Sequence, residues 1–134
     1  MKTVLKLLLV SILGLFVLTG CRTATIYNAT DHPVEVKKGT SEDEIYRAIK
    51  NAGTSLGWMI TKVKPGLAQG KLNIRENTAI VDIPYSTKSY SINFKSGSDS
   101  LKYDPSKNTI HKQYNQWISR LDKSIQVELN RLAD

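Results

Sequence analysis

Cysteine occurs once in these 134 residues, at Cys21, so no intrachain disulfide can form and the fold must rest on its own core. Histidine is nearly as scarce. His32 and His111 stand far apart, without cysteine or carboxylate partners at ligand spacing, and no metal site is expected. Gly66, Gly70 and Gly97 fit no phosphate-binding pattern. The stretch SGSDS (96–100) has serines and an aspartate but not the G-x-S-x-G elbow of a serine hydrolase, and it reads as a loop. Acidic residues are the minority, 12 against 19 lysines and arginines, giving a net charge of +7. A basic balance suits nucleic acid, yet no zinc-finger, helix-turn-helix or RNP pattern accompanies it, so nucleic acid is not an expected partner. These absences leave no expected catalytic residue and no expected cofactor.

Long apolar runs are confined to the start of the chain. Lys2 and Lys6 precede the uncharged stretch LLLVSILGLFVL (7–18), followed by Thr19, Gly20 and Cys21. A charged start, an apolar middle and small residues before a cut are the parts of an export signal. The run is too short for a retained membrane helix, which needs about 20 apolar residues. Leu18-Thr19-Gly20-Cys21 resembles the lipobox of bacterial lipoproteins. That resemblance implies cleavage after Gly20, a diacylglyceryl group on the Cys21 sulfur, and palmitate-type acylation of the new amino group. Each buried methylene contributes about 0.8 kcal/mol, and two or more long chains hold stably, so one residue suffices as a membrane anchor. The expected organisation is a signal peptide at 1–20, an acylated cysteine with a short leader at 21–24, and one domain at 25–134. Without Lys2 and Lys6 the mature chain has 17 basic residues against 12 acidic, or +5.

Within that domain TIYN (25–28) and PVEV (33–36) suggest a short strand pair around Asn28, Thr30 and Asp31, with Pro33 restricting the second piece to an edge or to its own first position. Ser41 with Glu44 three residues on forms a capping box, and Glu42, Asp43 and Glu44 place negative charge at the positive end of a helix dipole. Ile45, Ala48, Ile49, Ala52 and Leu56 then recur at helical spacing, Asp43 and Arg47 form an i,i+4 pair, and Gly53 or Gly57 ends the helix. Four strands are expected at 58–63, 67–74, 78–85 and 89–95, with turns at Lys64-Pro65-Gly66, Glu76-Asn77 and Ser86-Thr87-Lys88. A polar loop fills 96–108. Ile110, Tyr114, Trp117, Ile118, Leu121, Ile125, Leu129 and Leu132 mark a final helix from about Thr109 to Leu132, with Asn108 as its cap. The expected class is α+β, a four-stranded antiparallel meander with two helices on one face, in the order αββββα.

Two features suggest contacts. Lys112, Arg120 and Lys123 fall on the polar side of the final helix, beside Gln116 and Arg131, and are candidate contacts for an anionic surface or partner. Trp58 and Trp117 could stack on sugar rings. Trp117, however, sits in register with the apolar stripe and Trp58 begins a strand, so both read as core.

Ile49, the Gly57-Trp58 pair and YNQWISRL (114–121), after a lipobox, resemble small uncharacterised envelope lipoproteins of Gram-negative bacteria. The resemblance implies a lipid-anchored envelope location, most often the outer membrane facing the periplasm, and supplies no activity. Arg22 replaces the aspartate associated with inner-membrane retention in enterobacteria, which favours the outer membrane. The expected function is therefore non-enzymatic: a membrane-anchored binding or scaffolding module whose partner is an envelope protein, anionic lipid or glycan. The alternative is a lipid- or glycan-binding lipoprotein with a pocket between sheet and helices, and a hydrolase ranks third. A deep apolar pocket with a few converging polar groups would favour the alternative, and a filled core a partner surface.

Overall fold

The computed structural model describes residues 22–134, so the signal segment and Cys21, with the lipobox reading, lie outside the described residues. The described elements run β1 (Thr23–Thr25), β2 (Ala29–Pro33), α1 (Glu42–Ser55), β3 (Met59–Lys64), β4 (Leu67–Ile74), β5 (Asn77–Pro84), β6 (Ser89–Gly97), β7 (Thr109–His111) and α2 (Lys112–Arg131), with a short 3-10 turn at Asp99–Leu101. The class is α+β, as the patterning indicates.

α1 starts where its sequence directs. The Glu44 amide donates to Ser41 Oγ at 3.2 Å and the Ser41 amide donates to Glu44 Oε2 at 2.7 Å, closing the capping box. Asp43 pairs with Arg47 at 3.1 Å and also with Lys62 of β3 at 2.7 Å, so the acidic run serves the helix start and its neighbour strand. Gly57, at φ +90°, turns the chain out of the helix, a conformation open to residues without Cβ. Gly53 stays inside the helix.

β3 to β6 form the expected antiparallel meander, but the sheet has five strands, not four, in the order β2-β6-β5-β4-β3. TIYN and PVEV do not pair with each other. β2 instead lies along β6 as an edge strand that ends at Pro33, which has no amide hydrogen to give a further partner. β1 joins β7 in a separate two-stranded ribbon, so the leader is already folded at Thr23. β2 and β3 occupy opposite edges, and α1 carries the chain across between them.

The final helix also starts later than its periodicity suggests. Asn108 is not a cap: it takes a left-handed φ of 56° in the turn before β7, and its carbonyl accepts from the Ile26 amide. Thr109 to His111 are strand, and His111 caps α2 by accepting the Gln113 amide on Nδ1 at 3.2 Å.

Alternation decides which side of the sheet is inward. Ala68 and Leu72 of β4, Ala79, Val81 and Ile83 of β5, and Tyr90 and Ile92 of β6 are buried with Ile45 and Ile49 of α1 and Ile118, Leu121 and Ile125 of α2, in one apolar cluster. The two tryptophans separate. Trp58 is core at 3% exposure, whereas Trp117 is only half-buried against the cluster's edge, which corrects its reading as core.

Trp58 depends on a missing side chain. A Cβ on Gly70 would lie 3.1 Å from Trp58 Cε3, 3.1 Å from Val81 Cγ2 and 3.2 Å from Ile60 Cδ1. Glycine in the middle of a strand is otherwise unfavourable, and here it admits the indole. Gly70→Ala should therefore lower the melting temperature, although alanine is the better strand residue. Trp58→Ala should cost about 3–5 kcal/mol as a buried aromatic truncation, and Trp117→Ala clearly less. Thermal denaturation of the three variants checks the order.

Candidate functional site

α2 separates its faces as the spacing requires. Lys112, Arg120 and Lys123 are all exposed, while Tyr114, Ile118, Leu121, Ile125 and Leu129 are buried. At about 100° per residue the three cations lie within about 80° of one another, on the side away from the core. None makes an ion pair among the described residues.

Arg120 differs from the other two because it opens onto a groove. The groove, of about 480 Å³, runs between the first half of α2 and the β4–β5 turn. Gln113, Gln116, Trp117 and Arg120 form its helix side, with His111 at the end of β7, and Arg75, Glu76 and Asn77 form its turn side. Trp117 divides this polar groove from a small hollow of about 70 Å³ shared with Leu56, Trp58 and Leu72. One half-buried indole among amides and guanidinium groups can take a planar or anionic polar ligand. Arg75 was not legible as a site residue. It holds φ 55° in a two-residue turn between Ile74 and Asn77, where glycine or asparagine is usual, and that mismatch was its one available signal.

A second constellation surrounds Asp122, whose residue is 7% exposed. Its carboxylate accepts the Tyr90 hydroxyl, lies 3.0 Å from His32 Nδ1, and receives the Tyr27 hydroxyl at 3.5 Å. A carboxylate only accepts, so Nδ1 of His32 is the donor in this contact. Tyr90 packs edge-on to His32, with ring centroids 5.6 Å apart. Such an Asp–His pair could relay a proton, but among the described residues no hydroxyl or thiol is hydrogen-bonded to His32. The arrangement acts as a clamp between α2, β6 and the N-terminal segment. His32 and His111, read as lone residues, have separate structural duties, one in this clamp and one as a helix cap. No group of three or more histidine, cysteine or acidic side chains suited to a metal occurs among the described residues.

The deepest sites are closed. Tyr114 is fully buried, stacks edge-on to Phe94 at 5.3 Å, and its hydroxyl has no hydrogen-bond partner among the described residues. Burial pushes the Tyr114 hydroxyl well above the usual tyrosine range, and burial followed by the facing Asp122 does the same to Tyr90.

The two tyrosines should respond oppositely to loss of the hydroxyl. Tyr90→Phe removes a donor from a buried carboxylate and should destabilise by about 1–3 kcal/mol, whereas Tyr114→Phe removes an unsatisfied group and should be neutral or stabilising. Denaturant titration checks both. Their raised pKa values also set an alkaline limit. Below pH 10 both tyrosines are neutral folded and unfolded, and the folded state is at full strength. Above it the unfolded chain ionises first, and stability falls with rising pH. Unfolding followed from pH 9 to pH 12 should steepen beyond about 10, less so in Tyr114→Phe.

Comparison of this chain with protein-family models, with curated proteins and with solved structures finds no match, so its function is argued from its own residues.

Proposed function

We propose that this chain is an envelope lipoprotein, acylated on Cys21 and held at the outer membrane facing the periplasm, that works as a non-enzymatic binding or scaffolding module. The observation that carries this reading is the lipobox Leu18-Thr19-Gly20-Cys21 directly before a domain whose interior is filled by its own side chains. A filled core directs attention to the surface. Lys112, Arg120 and Lys123, exposed and without an ion pair among the described residues, offer a contact to an anionic partner, and their attraction is long-ranged only at low salt. No helix among the described residues is long and apolar enough to cross a membrane, so membrane attachment falls in this reading to Cys21.

One observation favours the second reading, a lipid- or glycan-binding lipoprotein: the groove that brings Trp117 beside Arg120, Gln113 and Gln116. It is an open surface groove, not a pocket between sheet and helices.

Cys21→Ser should abolish lipid labelling and leave the precursor uncut or the domain in the soluble fraction. Retention of the same labelling and membrane fraction would overturn the anchor. Reversing Lys112, Arg120 and Lys123 together to glutamate should change stability by less than about 0.5 kcal/mol per site and abolish recovery of the envelope component that crosslinks to the wild type. Equal recovery at low and physiological salt would show that these cations are merely solvated.

A further inference from the structure

The groove beside α2 lies at the end of the molecule where the described chain begins. His111 and Gln113 line it, Thr23 pairs with His111, and the Lys112 amide donates to the Arg22 carbonyl at 3.1 Å. Arg22 is joined to Cys21 by a peptide bond, which sets their Cα atoms about 3.8 Å apart. A flexible linker of n residues would let a domain wander by about 5–6 Å × √n. Here paired backbone begins two residues after the cysteine. Acyl chains on that sulfur would therefore hold the β1–β7 end of the domain, and the groove beside it, against the headgroup layer.

Charge at this end suits such a neighbour. Arg22, Arg75, Lys112 and Arg120 are exposed and make no ion pair among the described residues, with Glu76 as the acid on the groove's rim. Arg75 and Arg120 face one another's elements across the groove. A guanidinium binds phosphate through two parallel N–H···O bonds. Trp117 brings an indole to the same place, and tryptophan favours the layer between headgroups and acyl chains.

We infer that this groove receives the phosphate headgroup of an anionic bilayer lipid, with Arg75 and Arg120 binding the phosphate, Gln113 and Gln116 donating to its oxygens or to headgroup hydroxyls, and Trp117 lying in the interfacial layer. The inference rests on the lipid-anchor reading of Cys21 and adds to it an orientation and a ligand. β4 runs from the groove end at Ile74 back to Leu67, about 23 Å at 3.3 Å per residue, so the β3–β4 turn points away from the bilayer.

The test uses the full acylated protein, with its Cys21 modification verified by mass spectrometry, in vesicles of phosphatidylcholine alone or mixed with phosphatidylglycerol. A fluorophore is placed on a single introduced cysteine, Glu76→Cys at the groove rim or Lys64→Cys at the distant turn, and quenched by a lipid carrying a nitroxide on its headgroup. The label at 76 should be quenched several-fold more than the label at 64, and more strongly with phosphatidylglycerol present. Arg75→Glu with Arg120→Glu should remove the phosphatidylglycerol dependence while the protein stays vesicle-bound and its melting temperature holds. Equal quenching at both positions, or quenching indifferent to phosphatidylglycerol, would overturn the groove and leave the anchor standing. A Cys21 mass without acyl chains would overturn the anchor itself, and the orientation with it. Should millimolar inorganic phosphate or glycerol 3-phosphate shift the label at 76 on phosphatidylcholine vesicles as fully as phosphatidylglycerol does, the site serves a soluble phosphate and the bilayer source is wrong.

Discussion

A single buried carboxylate, Asp122, ties together parts of the chain that local pattern leaves unconnected. It projects from α2 and is met by Tyr90 from β6, by His32 from β2 and by Tyr27 from the segment before β2. A charge out of water is tolerated when donors surround it, and removing any one leaves part of the cost uncovered. Two of these donors, His32 and Tyr27, are held by contacts of their own segments. The Asp31 amide donates to Ser91 Oγ at 2.9 Å, which holds the irregular β2 against β6 and sets His32 in place. The Tyr27 amide donates to Asn115 Oδ1 at 2.8 Å, and Asn115 Nδ2 donates to the Thr25 carbonyl at 2.9 Å, fixing the segment to α2 on both sides of Ile26. A ribbon of three-residue strands is not stable alone. β1 and β7 stand because these polar contacts hold the N-terminal segment along the helix.

What the sequence discloses follows from how local each determinant is. The α1 capping box and the meander from β3 to β6 are written in neighbours a few residues apart, and they form where expected, with β4 at the same residues. β1 and β2 find partners some 60 to 90 positions away, through short segments with no sustained alternation, and nothing in a window of ten residues names those partners. The start of α2 departs from the helical spacing for a different reason. Ile110 stands four before Tyr114, so a buried strand residue fits the helical stripe equally well, and it is the distant pairing with β1, with the two-way bridge between Asp104 and Thr109, that takes the chain into β7 first. Trp117 illustrates the same ambiguity in packing. It lies on the margin of the buried stripe, lining on one side the hollow it shares with Leu72 and Trp58 and on the other the groove.

The same distinction governs the site. Lys112, Arg120 and Lys123 were legible because a helix fixes the relative direction of its own side chains. Their division of labour was not, since it depends on what lies opposite. Arg120 faces the β4–β5 turn, Lys112 adjoins Arg22, and Lys123 stands about 16 Å along the axis from Lys112. One basic strip thus holds cations in different electrostatic surroundings, and a charge reversal at one is not interchangeable with a reversal at another.

The lipid tether proposed at Cys21 would also divide the surface between two uses. If acyl chains on Cys21 hold the β1–β7 end at the bilayer, a protein partner must meet what faces outward. That includes the β3–β4 turn and the outer side of the sheet, where Lys95 Nζ donates to Gln69 Oε1 at 3.4 Å and lies 3.9 Å from Asp82. Lys71 stands on the same face without an ion pair among the described residues, and Met59 beside it on the edge strand is exposed, so this face offers a partner apolar contact and hydrogen bonding as well as charge. The groove end gathers Arg22, Arg75, Lys112 and Arg120, none with an ion pair among the described residues, around a half-exposed tryptophan. Cations at the groove end are therefore set where an anionic bilayer would neutralise them, and the outer face of the sheet is left for recognition of a protein partner by shape and close contact.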